Sequence, residues 1–170
     1  MRRTSPALLL LLALAALPPA LRAQVAPGAM FPPLASAGLA GGPLPTTSGR
    51  VVLVDFWASW CAPCKASFPV YSQIQADYAA RGLVIVAVSV DETAAPFSAF
   101  VARMRPGFTT LFDAGHALVR RVEVPTMPTS YLLDRPGRVR YVHAGFHGPQ
   151  TDRELRREIE TLLAEKPPAA

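Results

Sequence analysis

The sequence predicts an α/β domain whose central mixed sheet is flanked by helices, and three observations carry that prediction. Two apolar runs, Val51-Val52-Leu53-Val54-Asp55-Phe56 and Leu83 to Val90, are each followed by apolar residues at helical spacing, the pattern of parallel strands buried on both faces. Ser130-Tyr131-Leu132-Leu133 and Val139-Arg140-Tyr141-Val142 flank Arg135-Pro136-Gly137, a turn signal that makes them an antiparallel hairpin. A last amphipathic segment, with Leu155, Ile159, Leu162 and Leu163 in one stripe, supplies a closing helix.

After the first strand, Val70, Tyr71, Ile74 and Tyr78 recur at helical spacing until Gly82, with Pro69 expected to kink the early part of the helix. After the second strand, Phe97, Phe100, Val101 and Met104 mark a helix that starts near Thr93 and tolerates Pro96 in its first turn. Thr109 to Asp113 reads as a short strand and His116 to Arg121 as a short helix. The closing helix carries a capping box, Thr151 with Glu154, and ends at Pro167. Residues 24–49 are rich in Ala, Gly, Pro, Ser and Thr and broken at Gly41-Gly42-Pro43 and Pro45, so a loose leading segment with at most a short hairpin is expected. Residues 50–166 are expected to be the folded domain and 167–170 a flexible tail.

Met1-Arg2-Arg3, the apolar run Ala7 to Leu17 and the small-residue end Leu21-Arg22-Ala23 have the layout of a secretory signal peptide, expected over 1–23 with cleavage after about Ala23. The run falls short of the roughly 20 apolar residues of a membrane-spanning helix, so a retained anchor is the lesser reading. Without Arg2, Arg3 and Arg22 the formal charge falls from +5 to +2, and no nucleic-acid surface is indicated. Both cysteines lie in the mature part, three positions apart. A bridge between them closes too small a loop to staple a fold, so a redox role is the better use of the pair.

Asp55-Phe56-Trp57-Ala58-Ser59-Trp60-Cys61-Ala62-Pro63-Cys64 puts that pair between the end of a buried strand and the start of a helix. A thiolate at a helix amino terminus meets unpaired N–H groups and the positive end of the helix dipole, both of which lower its pKa. Cys61 is therefore the candidate nucleophile and Cys64 the resolving thiol. Pro63 removes a backbone donor and restricts the turn. Trp57 is expected in the core and Trp60 on the substrate-facing rim. Lys65 reads equally as a group favouring the thiolate and as a solvated lysine. His116, His143 and His147 lack the spacing of a four-ligand set and read as surface or loop residues. No metal site is expected, and no cofactor beyond a redox-active Cys61–Cys64 disulfide. The charges of the last helix, Arg153, Arg156, Arg157, Glu158 and Glu160, read as a solvated face.

The run from Val54 to Lys65 resembles the active site of the thioredoxin superfamily, and the nearer similarity is to secreted TlpA/ResA-like proteins. It extends over essentially residues 30–164, including Val88-Ser89-Val90-Asp91-Glu92 and Met127-Pro128-Thr129-Ser130-Tyr131-Leu132-Leu133-Asp134 followed by Gly137. The resemblance implies a thioredoxin-like fold and thiol-disulfide oxidoreductase activity. It also implies a cis-proline opening a strand beside the Cys pair, whose neighbouring backbone pairs with a substrate peptide. Pro128 matches that proline, with Met127 before it, and Pro125 is the competing candidate. Trp60, Pro63, Met127 and Pro128 are thus the expected substrate-binding residues. The implied setting is a periplasmic reductase of protein disulfides, with cytochrome c maturation as the first client pathway and a membrane electron-transfer protein of the DsbD/CcdA type as reductant.

Two departures matter. Where many TlpA/ResA-like proteins carry Glu three residues after the second Cys, this chain has Ser67, and where they tend to have Asn it has Asp55, which matches the buried acid of thioredoxin. A carboxyl in an apolar strand should have a raised pKa. Asp55 is therefore expected to accept the proton of Cys64 during resolution, against the plainer reading of an acid bonded to structural water. Two other functions compete. One is a disulfide oxidase or isomerase of the DsbA type, since the motif spans roughly −270 to −120 mV; the other is a non-catalytic copper-binding or interaction module using the two thiolates as ligands. A peroxidase reading lacks its Pro-x-x-x-Thr-x-x-Cys environment around Cys61.

Overall fold

A computed structural model describes residues 24–166, so the expected signal peptide over 1–23 and tail over 167–170 lie outside the described residues. Strand β1 (Val51–Trp57) leads into helix α1 (Ala62–Tyr78), followed by β2 (Leu83–Ser89), α2 (Ala94–Met104), β3 (Thr109–Phe112) and α3 (Ala117–Val122). The hairpin β4 (Thr129–Leu133) and β5 (Val139–Ala144) and helix α4 (Pro149–Ala164) complete the order. The sheet order is β3-β2-β1-β4-β5, with β1, β2 and β3 parallel and β4 antiparallel to both its neighbours. This is the mixed, helix-flanked sheet the sequence predicts.

All seven residues of β1 are buried, and the two-residue period of a strand divides them between two faces. Val52, Val54 and Phe56 pack with Val86, Val88, Tyr131 and Leu133 against Phe31, Leu118 and Val122. Val51 and Leu53 pack on the other face with Tyr71 and Ile74 of α1 and with Leu155, Ile159 and Leu162 of α4. At the end of β1, Trp57 joins a third cluster with Phe68, Phe97, Phe100 and both cysteines.

Two expectations are corrected. The leading segment is docked along most of its length rather than loose. Ala40 and Phe112 exchange backbone hydrogen bonds of 2.9 and 2.7 Å on the outer edge of β3, and the Phe31 N–H donates to the Gly137 carbonyl. In place of a hairpin, the segment bridges to Phe112 and Arg138, and Phe31 packs on the Tyr131 ring at 5.4 Å. Gly41 is required there, since it has a φ of 101° and a Cβ would lie 2.8 Å from the Phe97 ring.

Pro69 stays within α1 without ending it, on the exposed side of the helix where the freed carbonyl can meet water. Helix α4 begins at Pro149, which has no N–H to leave unpaired, instead of at a Thr151 cap. Thr151 is buried within the first turn, where its hydroxyl accepts the His147 N–H at 2.9 Å, and Glu154 accepts from Gln150. At the other end, the Arg135 guanidinium donates to the carbonyls of Leu162, Leu163 and Glu165, satisfying orphan acceptors of the last turn. Among the described residues no helix is long and apolar enough to cross a membrane.

If the leading segment is part of the domain, Phe31→Ala should lower the unfolding free energy by about 3 kcal/mol. Urea denaturation followed by circular dichroism measures this, and an unchanged midpoint would mean that the segment contributes nothing.

Candidate functional site

Strand β1 becomes helix α1 within four residues, 58–61, and the Cys pair occupies that junction. The Cys61 N–H donates to the Ala58 carbonyl at 3.1 Å, closing the turn, and Cys61 stands as the N-cap of α1. The two cysteines form a disulfide. Cys64, two residues into the helix after Ala62 and Pro63, donates its N–H to Cys61 Sγ at 3.2 Å, so an unpaired helix donor is aimed at that sulfur. Pro63 contributes no N–H to the same turn. The exposures differ in the useful direction, 4% for Cys61 against 0% for Cys64.

The turn is held from β2. Asp91, buried just beyond that strand, accepts the Ser59 N–H on both carboxylate oxygens at 3.1 and 3.2 Å and the Ser59 hydroxyl at 2.7 Å. Its second oxygen also takes the Ser89 hydroxyl at 2.8 Å. The sequence reading did not single out Asp91; an acid placed directly after a buried strand, within the resembling run Val88 to Glu92, was the available signal. Trp57 is buried, its ring 4.8 Å from Phe68 and 4.6 Å from Phe100. Trp60 is 66% exposed beside Cys61.

The Met127–Pro128 bond is cis. Thr129 pairs with Phe56, so Pro128 stands at the end of β1 where the Cys-bearing turn begins, and Met127 packs on the cluster that holds both cysteines. The Pro128 carbonyl accepts the Gly145 N–H at 2.7 Å, while no backbone hydrogen bond engages Met127 among the described residues.

Asp55 is fully buried on the α1 and α4 side of the sheet, between Leu53 and Trp57. Strand register places it in a row with Ala87 of β2, Ser130 of β4 and His143 of β5. The Tyr71 hydroxyl donates to Asp55 Oδ1 at 3.3 Å and lies 3.3 Å from Ser130 Oγ. Asp55 Oδ2 has no protein partner. Burial pushes the Asp55 carboxyl well above the usual carboxylate range, and the Tyr71 hydrogen bond partly opposes it. Burial and the neighbouring Asp55 charge likewise raise the Tyr71 phenol. Ser67, where a glutamate was the family expectation, is buried and donates to the Cys64 carbonyl at 2.9 Å.

The histidine and charge readings need correction at one place. His143 Nε2 lies 2.7 Å from Glu158 Oε2, and Glu158 is buried, so neither belongs to a solvated face. The pairing spans β5 and α4, and helical charge spacing alone cannot show it. The remaining α4 charges do lie outward, with Arg156 bridging Asp152 and Asp77 and Glu160 meeting Arg81. Among the described residues no cluster of His, Cys, Asp and Glu is disposed to hold a metal ion.

A family model described as Thioredoxin-like matches residues 49–139. The chain is 29% identical over 114 residues to the thiol-disulfide oxidoreductase ResA of Bacillus thuringiensis subsp. konkukian, covering 67% of this chain and 64% of that protein. It is 32% identical over 91 residues to the ResA of Bacillus anthracis, covering 54% of this chain and 53% of that protein. Among solved structures it is similar to a Chlorobium tepidum protein assigned the name thiol:disulfide interchange protein DsbE, with 42% identity and a TM-score of 0.67. That match covers 69% of this chain and 83% of the other.

The Asp55 carboxyl gives a signed prediction. Because its pKa is raised in the folded state, the folded protein binds the extra proton, and stability falls as pH rises from the ordinary carboxylate value of about 3.9 through the folded value. Asp55→Asn removes that loss. The oxidised variant should match or modestly exceed wild type near pH 4 and exceed it increasingly toward pH 8, by urea denaturation at each pH. A constant difference across the range would show that Asp55 titrates as an ordinary acid.

Proposed function

The chain belongs to the thioredoxin-like family, and from that premise we propose that it is a thiol-disulfide oxidoreductase that reduces disulfides in protein clients. The observation that carries this reading is the asymmetry of the two sulfurs: Cys61 caps the helix, accepts the Cys64 N–H and keeps a slight exposure of 4%, whereas Cys64 is fully enclosed. In the reduced protein the Cys61 thiolate attacks a client disulfide, forming a mixed disulfide and releasing one client thiolate, which takes a proton from water. Cys64 then loses its proton to Asp55 and attacks Cys61, closing the Cys61–Cys64 disulfide and releasing the second client thiolate. Two electrons pass to the client, and an external dithiol returns them to the enzyme.

The client strand is proposed to lie across Trp60 and Met127-Pro128, pairing with the unengaged Met127 backbone in the manner of an added β-strand, with Pro63 beside it on the same rim. Similarity to ResA and DsbE proteins supports a periplasmic setting, reached through the signal peptide at 1–23. The same similarity supports haem-attachment cysteines of c-type cytochromes as clients and a DsbD/CcdA-type membrane protein as reductant. The redox disulfide is then the whole of the active group, with no separate cofactor.

Cys64→Ser should accumulate mixed disulfides with clients or with glutathione, and Cys61→Ser should accumulate none, as non-reducing gels and mass spectrometry report. A faster alkylation of Cys64 than of Cys61 in the reduced protein would reverse the two roles. Asp55→Asn should slow the resolution step by about 10²- to 10⁴-fold in stopped-flow reduction of a model disulfide, with a smaller effect on the first attack. Equilibration against glutathione should give a potential nearer −270 than about −120 mV, the thioredoxin end of the scale. A value at the oxidising end would convert the assignment to an oxidase.

A further inference from the structure

The two carboxylate oxygens of Asp55 are not equivalent. Oδ1 accepts the Tyr71 hydroxyl at 3.3 Å, and Oδ2, equally buried, has no protein donor. A carboxylate oxygen already engaged by a donor is the poorer acceptor for a further proton, because its lone pair is in use and its charge partly neutralised. We propose that Tyr71 is a positioning residue for proton transfer at Asp55: its hydroxyl fixes Oδ1 as the hydrogen-bonded oxygen and leaves Oδ2 as the one that takes the proton of Cys64. This rests on the reading of Asp55 as proton acceptor in the resolution step.

The helix supplies the geometry. Cys64, Ser67 and Tyr71 follow one another at three- and four-residue spacing and are all buried, so they line one face of α1 against the sheet. The Tyr71 hydroxyl stands between Asp55 of β1 and Ser130 of β4, within hydrogen-bond distance of both. Its ring is enclosed, packed edgewise near Phe108 and Phe146 with centroids 6.3 and 6.2 Å away, so the hydroxyl cannot swing clear. A phenol raised by burial keeps its proton throughout the range in which a carboxyl titrates, and so it remains a donor.

In the step, the Cys64 S–H bond breaks and an O–H bond forms at Oδ2. The Cys64–Cys61 bond forms as the client thiolate leaves. On re-reduction by the external dithiol, the Oδ2 proton returns to the Cys64 sulfur. The other titratable groups facing Asp55 are few. Ala87 of β2 brings none, Ser130 carries no charge, and His143 is next along the row, held by Glu158 at 2.7 Å with Glu154 at 3.9 Å and Arg157 3.8 Å beyond Glu158.

Tyr71→Phe keeps the ring and removes the hydroxyl's bond to Asp55, which favours the ionised carboxylate, together with its contact to Ser130. Its resolution step, followed by stopped flow from pH 5 to 10 beside wild type, should be about tenfold or more slower at pH 7 and rejoin wild type at the alkaline end. The infrared C=O stretch of protonated Asp55, identified by its absence in Asp55→Asn, should persist to higher pH in Tyr71→Phe than in wild type. Ser130→Ala, which weakens the hold on the Tyr71 hydroxyl, should displace both readouts in the same direction by less, and it carries the test if Tyr71→Phe does not fold. Superimposed wild-type and Tyr71→Phe profiles, or a Tyr71→Phe rate depressed equally at every pH, would overturn the role of Tyr71 while a slow Asp55→Asn leaves Asp55 in place. Asp55→Asn resolving like wild type would instead remove the proton-acceptor reading itself. If His143→Gln displaced the profile as far as Tyr71→Phe, the titration would belong to His143 and the proposal would fail.

Discussion

The turn that carries β1 into α1 uses a cysteine where a helix usually has a hydroxyl or a carboxylate. An N-cap side chain normally accepts an N–H from the first turn, and here Cys61 Sγ accepts the one from Cys64. A disulfide sulfur is a weak acceptor and a thiolate a strong one, so the cap is better made in the reduced protein. Helix and thiolate therefore stabilise each other, through the aimed N–H and through the dipole. Pro63 limits the effect by removing a donor from the same turn. The position of that sulfur depends in turn on Asp91, whose three hydrogen bonds from Ser59 tie the turn to the end of β2.

Around this junction the core is divided rather than continuous. Trp57, Phe68 and Phe100 form an aromatic floor among which both cysteines pack, while Leu53, Tyr71 and the stripe of α4 fill the sheet further back on the same face. Asp55 lies between the two sets, away from water, where any charge interacts more strongly than at the surface. The same enclosure that makes its ionised form costly makes each of its few hydrogen bonds count. The row Asp55, Ser130, His143 then leads from the middle of the sheet to its edge, polar at each step.

Strands β1 and β2, the hairpin and the stripe of α4 were legible in the sequence because each is written locally, as an apolar run, a turn signal or a helical repeat. The docked leading segment was not, because Ala40 meets Phe112 and Phe31 meets Gly137 across long stretches of chain, and a Gly- and Pro-rich composition gives no sign of such partners. Thr151 read as a cap because its spacing to Glu154 fits one, yet Gly148 and Pro149 start the helix earlier. At the site, the Cys pair and Asp55 stood out as chemistry in an apolar setting. Tyr71 was hidden within an apolar stripe, since its ring serves packing while its hydroxyl finds partners 16 and 59 residues away. His143 and Glu158 were hidden for the same reason, each ordinary in its own element and joined only by the packing of α4 on β5.

Three of the four aspartates buried among the described residues allow a comparison within the one molecule. Asp113 divides its oxygens between the N–H groups of Ala117 and Val119, both at 2.9 Å, and so caps α3. Asp91 fills both oxygens with Ser59 and Ser89. Those are acids in structural use: the cost of burial is offset because every acceptor has a donor. Asp55 has a single protein donor on Oδ1 and none on Oδ2, in a strand where an apolar residue would pack at no electrostatic cost. In the proton transfer proposed for Asp55, Oδ2 is the oxygen free of a protein donor, and it sits on the strand that runs into the Cys61–Cys64 turn.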